Sequence, residues 1–230
     1  MAVFPDTPAS MPLASGRTVL VAGASGLVGR EILQGLLADD SVAAVHSVGR
    51  RELPLQHPKL TQHQVDFSKA LPALPRVGEA FVALGTTIKV AGSQEAFRAV
   101  DHDAVLAVAQ AARAAGATRL GVVSAMGADK RSAIFYNRVK GETEEALSAL
   151  GFDTLVIARP SFLSGDRAVL GQPLRGGEKL AMNISRVLAP LIPDNYKSIL
   201  ASSVAAALLR TVPVARGKVV LLSAQLRTAA

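Results

Sequence analysis

A chain of 230 residues, half of them hydrophobic, can bury one large core, and without cysteine it can build neither a disulfide nor a thiolate metal site. Its formal charge of +7 comes from arginines and lysines scattered along the chain, with no basic run and no interleaved aromatics, which does not point to nucleic acid and suits a phosphate-rich cofactor. The four histidines have no metal-ligand spacing, and no apolar run approaches the roughly 18 residues of a membrane span.

Residues 1–16 carry three prolines and neither a basic leader nor a long apolar segment, so they read as a flexible tail rather than a secretory signal. Residues 17–230 are then one domain, and a cytoplasmic location follows by default. Residues 18–22 are a short apolar run rich in β-branched side chains, hence a strand. It stops at Gly23-Ala24-Ser25-Gly26-Leu27-Val28-Gly29, after which Val28, Ile32, Leu33 and Leu36 recur at helical spacing. Strand, glycine turn and helix in that order make a dinucleotide site. The first glycine allows the tight turn, the second lets a pyrophosphate approach the backbone, and the third lets helix and strand pack closely.

The next strand, 44–48, ends at Gly49-Arg50-Arg51. A site for NAD usually places an acid here to hold the ribose hydroxyls, whereas a guanidinium suits the extra phosphate of NADP. The two arginines favour NADP. Glu52 keeps NAD as the alternative, and a solvated pair at a strand end is the plain reading. Residues 60–65 form a weaker strand ending at Asp66-Phe67. Asp66 suits an adenine amino group, or else caps a short helical piece after Ser68 that Pro72 and Pro75 would limit. The strand 80–84 ends in Gly85-Thr86-Thr87, where Gly85 lets the backbone pass close to a cofactor or simply makes a turn.

A long amphipathic helix is expected over 93–115, with Phe97, Val100, Ala104 and Val108 as its buried stripe. Within it, Asp101, His102 and Asp103 invite a metal or proton-relay reading. Adjacent helix positions point in different directions, which favours three ordinary residues. The strand 120–124 delivers Ser124 at its carboxyl end and leads into the loop 125–130. A helix over 133–150 follows. In it Tyr136 and Lys140 are four apart and share a face. An ammonium there favours the phenolate form of the tyrosine, which can then give or take a proton at a carbonyl or alcohol oxygen. Ser124 is placed to hydrogen-bond the same oxygen. The strand 154–158 ends at Arg159-Pro160, and 161–196 holds Gly165, Gly171, Gly176 and Gly177, a natural substrate lid. A helix over 202–210 and a strand over 219–222 complete the chain. The alternation predicts a doubly wound parallel α/β sheet of order 3-2-1-4-5-6 with a seventh strand.

Together the glycine turn at 23–29, Ser124 and the Tyr136-x-x-x-Lys140 pair resemble the short-chain dehydrogenase/reductase superfamily. Gly-Arg-Arg at 49–51, Leu-Gly-Thr-Thr at 84–87 and Ser-Ala-Met-Gly-Ala-Asp-Lys at 124–130 resemble more narrowly its atypical branch with the Tat-interacting oxidoreductase-like proteins. The resemblance spans roughly 17–225. It implies a Rossmann fold that binds NADP, with Ser124 orienting a substrate oxygen. Tyr136 is then the acid or base, and Lys140 holds the nicotinamide ribose.

The expected cofactor contacts are Gly23, Ser25, Gly26, Leu27, Val28, Gly29, Arg50, Arg51, Asp66, Phe67, Leu84, Gly85, Thr86, Tyr136, Lys140, Arg159 and Pro160. Leu84-Gly85-Thr86-Thr87 departs from the family's Asn-Ala-Gly, and Asp101 takes the place of a helical Asn that often completes a proton relay. The carboxyl-terminal region is short beside that of sugar-nucleotide epimerases. The leading expectation is an NADP-dependent oxidoreductase acting on a small carbonyl or alcohol, without metal or membrane, as a monomer or homodimer. A cofactor-binding sensor with little turnover is the alternative, followed by a sugar-nucleotide epimerase or dehydratase.

Overall fold

The computed structural model describes residues 16–164 and 197–228. The expected tail, apart from Gly16, and the expected lid beyond Ser164 lie outside the described residues. The elements run β1 (Arg17–Ala22), α1 (Leu27–Ala38), β2 (Val42–Gly49), β3 (Leu60–Gln64), β4 (Glu79–Val82), α2 (Ile88–Ala91) and α3 (Gln94–Arg98). A π-turn (Ala99–Ala104), α4 (Val105–Ala114), β5 (Arg119–Val123), α5 (Phe135–Ser148), β6 (Thr154–Arg159) and β7 (Leu163–Ser164) come next. The chain ends with β8 (Ile199–Leu200), α6 (Ala201–Thr211), β9 (Gly217–Leu222) and α7 (Ser223–Thr228).

The main sheet has seven strands in the order β3-β2-β1-β4-β5-β6-β9. Every pairing in it is parallel. This is the expected Rossmann order with its seventh strand. β1 shows why both faces must be covered. Val19 and Val21 pack into one core with Ile32 and Leu36 of α1 and Val204 and Leu208 of α6. Leu20 and Ala22, pointing the other way, pack with Val105 and Val108 of α4 and Leu147 of α5. The period of two in a strand thus feeds two separate cores.

Three local expectations change. The helix over 93–115 is broken by the π-turn, in which Asp101 is buried. No helix follows Ser68. Instead Asp66 Oδ1 accepts from the Ser68 amide (3.0 Å) and hydroxyl (2.7 Å), closing a turn. The strand read as 80–84 begins one residue earlier and ends at Val82. Its first residue, Glu79, is buried beside Arg17, so an acid that reads as a loop residue is part of the strand.

Candidate functional site

The carboxyl ends of β1, β4 and β5 sit side by side in the sheet, so the segments that follow them border one crevice. After β1, Gly23 has φ +88°, and a Cβ on it would lie 2.5 Å from the Ala83 carbonyl oxygen. A Cβ on Gly29 would lie 2.1 Å from the Gly23 carbonyl oxygen. Both positions therefore require glycine for folding itself. Gly26 differs: its φ of −89° suits any residue, and its Cβ would meet the Gly23 oxygen at 3.3 Å and the Ala83 oxygen at 4.0 Å. Gly26 caps α1. No side chain bonds the free amides there, and the first turn holds no acid. An uncapped, positive helix end bordered by a cradle that side chains would fill fits a pyrophosphate. Ser25 and Leu27 flank Gly26 and are partly or fully exposed, while Val28 is buried in the core below.

Beyond β2 and β3 lies an open depression of about 400 Å³ lined by Arg50, Gln64, Val65 and Asp66. Gln64 Nε2 donates to the Arg50 carbonyl at 3.2 Å and ties the two strand ends together. The side chains of Arg50 and Arg51 are exposed. The hydrogen bonds from Ser68 hold the Asp66 carboxyl below its ordinary range, with a small further contribution from Lys69. Phe67 packs partly buried against the core on the α4 side.

Beyond β4, Thr86 donates its amide to Asp101 Oδ2 at 2.8 Å. The Lys140 ammonium lies 2.7 Å from Asp101 Oδ1, with the two side chains 6% and 1% exposed. That oxygen is fully buried, so the ion pair is shielded from water. Thr143, one turn after Val139 on α5, donates its hydroxyl to the Asp101 carbonyl (3.0 Å) or the Val139 carbonyl (2.8 Å) and locks the π-turn onto α5. A Cβ on Gly85 would come within 3.4 Å of Asp101 Oδ1 and 3.9 Å of Lys140 Nζ. The Leu84-Gly85-Thr86 backbone therefore runs directly over the buried ion pair. One turn before Lys140, Tyr136 is half-buried with its ring tilted on Phe97 at 5.4 Å.

Beyond β5, Ser124 is buried and its hydroxyl donates to Glu144 Oε1 at 2.5 Å. Arg159 at the end of β6 grips the same carboxylate, from Nε to Oε1 at 3.0 Å and from a terminal nitrogen to Oε2 at 2.6 Å. These bonds, aided by the Glu144 and Asp129 charges, raise the Arg159 guanidinium above its ordinary value although burial opposes it. The Pro160 carbonyl accepts from the Met126 amide at 2.9 Å. The loop 125–130 is seated on α5: a Cβ on Gly141 would lie 2.1 Å from the Lys130 nitrogen, and the Asp129 amide donates to the Asn137 carbonyl at 3.0 Å.

Sequence reasoning missed one residue here and left the partner of another open. Asp101, which takes the place of a helical Asn that often completes a proton relay, is the buried partner of Lys140. Glu144 was not singled out, although it follows Lys140 by one turn as Lys140 follows Tyr136. An acid one further turn along the face that carries Tyr136 and Lys140 was the available signal. His102, by contrast, pairs with its neighbour Asp103 at 2.7 Å. Among the described residues there is no cluster of three potential metal ligands, and no helix is long and apolar enough to cross a membrane.

Residues 23–187 match the model of an NAD(P)H-binding family. The chain belongs to that family. It is 36% identical over 188 residues to protein HTATIP2 of Rattus norvegicus, a match that takes in 79% of this chain and 74% of that one. It is also 39% identical over 158 residues to the mitochondrial protein fmp52 of Emericella nidulans, covering 65% and 68% of the two chains. Among solved structures, MoeE5 in complex with UDP-glucose and NAD superposes with a TM-score of 0.66 at 20% identity, over 89% of this chain and 75% of that chain. That likeness carries the fold alone.

These findings make the protein an NAD(P)-binding, oxidoreductase-like member of a Rossmann family. They also correct one expectation. Fungal relatives bear the name mitochondrial, which overturns the cytoplasmic default. That default rested on the lack of a recognisable leader, a weak basis because targeting segments share no one pattern.

Proposed function

We propose that the protein is an NADP-dependent oxidoreductase acting on a small carbonyl or alcohol. The observation that carries this reading is the arrangement on α5. Lys140 is held in place by Asp101 under the Gly85 backbone, with the half-exposed Tyr136 one turn away. Bound NADP would supply or accept the hydride. The glycine turn and the open end of α1 take the pyrophosphate, Arg50 and Arg51 the 2′-phosphate, and Asp66 and Phe67 the adenine. Leu84, Gly85 and Thr86 line the nicotinamide side. Lys140, held in place by Asp101, reaches the ribose hydroxyls and stabilises negative charge on Tyr136. Tyr136 moves the proton at the substrate oxygen, and Ser124 orients that oxygen. Arg159 contributes through its backbone and Pro160, since its guanidinium is bound to Glu144.

A sensor reading has one observation in its favour: Ser124 and Lys140 already have partners within the protein. Calorimetry with both cofactors, followed by a carbonyl screen read by NADPH absorbance, separates the readings. NADPH should bind more tightly than NADH, and at least one carbonyl should be reduced. Tight binding without turnover across a broad screen favours the sensor. Gly26→Val tests the cradle. Its backbone tolerates valine, so the protein should fold and lose dinucleotide binding; unchanged affinity would remove the pyrophosphate from this turn.

A further inference from the structure

We infer that Glu144 is a positioning residue for Ser124: it takes the serine's only hydroxyl proton, so Ser124 presents lone pairs alone to the crevice and accepts a hydrogen bond there. This rests on the reading that Ser124 faces the reacting oxygen. A serine hydroxyl has one proton and two lone pairs, and an ionised carboxylate can only accept. The 2.5 Å contact from Ser124 Oγ to Glu144 Oε1 therefore fixes where the proton points.

Among the described residues the Ser124 hydroxyl has no other side-chain partner. Its amide is bonded to the Ala158 carbonyl at 2.8 Å, which fixes the backbone. Glu144 is anchored in turn by the Arg159 fork on both oxygens. The Ser124 and Glu144 side chains are both buried, so water does not compete for the contact. Glu144 follows Lys140 by one turn on α5. The helix thus carries three successive groups toward the carboxyl ends of the strands: the phenol, the ammonium, and the carboxylate that orients the serine.

The consequence is a division of labour. A carbonyl oxygen cannot receive a proton from a serine whose proton is held by Glu144, so Tyr136 is the sole donor to it. Ser124 serves as the acceptor that keeps a substrate hydroxyl in line directly, and orients a carbonyl oxygen only through the Tyr136 hydroxyl it holds. Charge-assisted hydrogen bonds to a carboxylate are about twice as strong as neutral ones, which makes this orientation durable.

The alternative is a plain clamp, in which Glu144 and Arg159 pin α5 to β6 and Ser124 merely fills space. A double-mutant cycle distinguishes the two. Ser124→Ala, Glu144→Gln and the double variant are compared in kcat and KM with a carbonyl from the screen. Calorimetric NADPH affinity and the urea unfolding midpoint are measured alongside. Glu144→Gln should lower kcat about tenfold or more, the scale of a lost charge-assisted hydrogen bond, with NADPH affinity unchanged. The double variant should be no slower than Ser124→Ala. An unchanged kcat in Glu144→Gln, or losses that multiply in the double variant, would overturn the assignment.

Should Glu144→Gln fail to fold, Glu144→Asp keeps a charge for Arg159 while drawing the carboxylate back from Ser124, and the same loss is expected. If the wild type binds NADPH and turns nothing over, the oxidoreductase reading fails separately. The urea midpoints then decide: non-additive losses uphold the Glu144–Ser124 tie, and additive ones overturn it.

Discussion

Buried ion pairs occur at both ends of the sheet, and they are built differently. At the amino ends, Arg17, Glu79 and Arg119 are the first residues of β1, β4 and β5. Arg17 bonds Glu79 at 3.1 and 2.7 Å and reaches on to Asp39 at 3.0 Å and Ser41 at 3.1 Å. Its guanidinium is raised above the ordinary value, chiefly by the hydrogen bonds it donates to Glu79 and against the opposing effect of burial. Every Arg17 nitrogen is used, and the cluster is closed. At the carboxyl ends, Asp101 is paired with the Lys140 ammonium at 2.7 Å, and the half-buried Tyr136 phenol makes no hydrogen bond among the described residues. A closed network stabilises. An open one leaves a phenol for something that arrives later. The difference separates a structural clamp from a site in a fold where both look alike as pairs of charges.

The largest expected effect breaks the open end. Tyr136→Phe removes one oxygen and keeps the ring on Phe97, so packing survives. Turnover should fall about 100-fold to 10,000-fold, the usual worth of general acid–base catalysis, with NADPH affinity little changed. Retained turnover would move the proton donor elsewhere. Lys140→Met is a poorer probe, because it strands the fully buried Asp101 without its counter-charge and lowers stability together with activity.

The closed end should respond in the opposite manner. Glu79→Gln leaves Arg17 with a neutral partner in a nearly buried position. Breaking such a pair costs about 3–5 kcal/mol when fully buried, and the partial exposure of Arg17 places this loss at the lower end. Urea unfolding should register it while NADPH affinity stays constant. A loss of cofactor affinity without loss of stability would erase the contrast between the two ends.

How much of this was legible follows the same contrast. The strand order and the glycine turn were readable because period-two apolar runs and a turn needing glycine leave local marks. Tyr136 and Lys140 were readable because their spacing is local too. Asp101 was legible in part: it takes the place of a helical Asn and lies four positions after Phe97 on the buried stripe, but its partner Lys140, 39 positions on, is supplied by the fold. Glu144 was not, because its partner Ser124 lies 20 positions before it. Glu79 is hidden likewise, since a charged residue opening a strand reads as loop until Arg17 is placed beside it.

A smaller effect sharpens the carboxyl end. Arg50 borders the open depression beyond β2 and β3 with its side chain exposed. A charge-assisted contact to the 2′-phosphate is worth about 1.5–3 kcal/mol, so Arg50→Ala should weaken NADPH about tenfold or more and leave NADH nearly unaffected. Equal weakening of both cofactors would give Arg50 a structural role instead, through its carbonyl bond to Gln64.

The smallest effect belongs to neither end. His46 on β2 and His63 on β3 face each other across neighbouring strands, with His46 Nδ1 3.1 Å from His63 Nε2. Burial, and secondarily the charge of His63, push the His46 imidazole below its ordinary value of 6.5. The unfolded chain therefore takes up a proton at His46 before the folded chain does. Stability from this pair is complete above about pH 6.5 and is lost as pH falls toward the depressed folded value. Partial exposure screens the interaction and holds the loss below about 1 kcal/mol. Asp39 acts in a separate window: its carboxyl is lowered by Ser41 and then Arg17, so its contribution disappears only below the ordinary value of 3.8. Thermal unfolding followed from pH 7.5 to 5 should show a small decline that His46→Asn removes, with the amino-end clamp unaffected until the more acidic range. A decline of equal size in His46→Asn would show that the histidine pair is not its source.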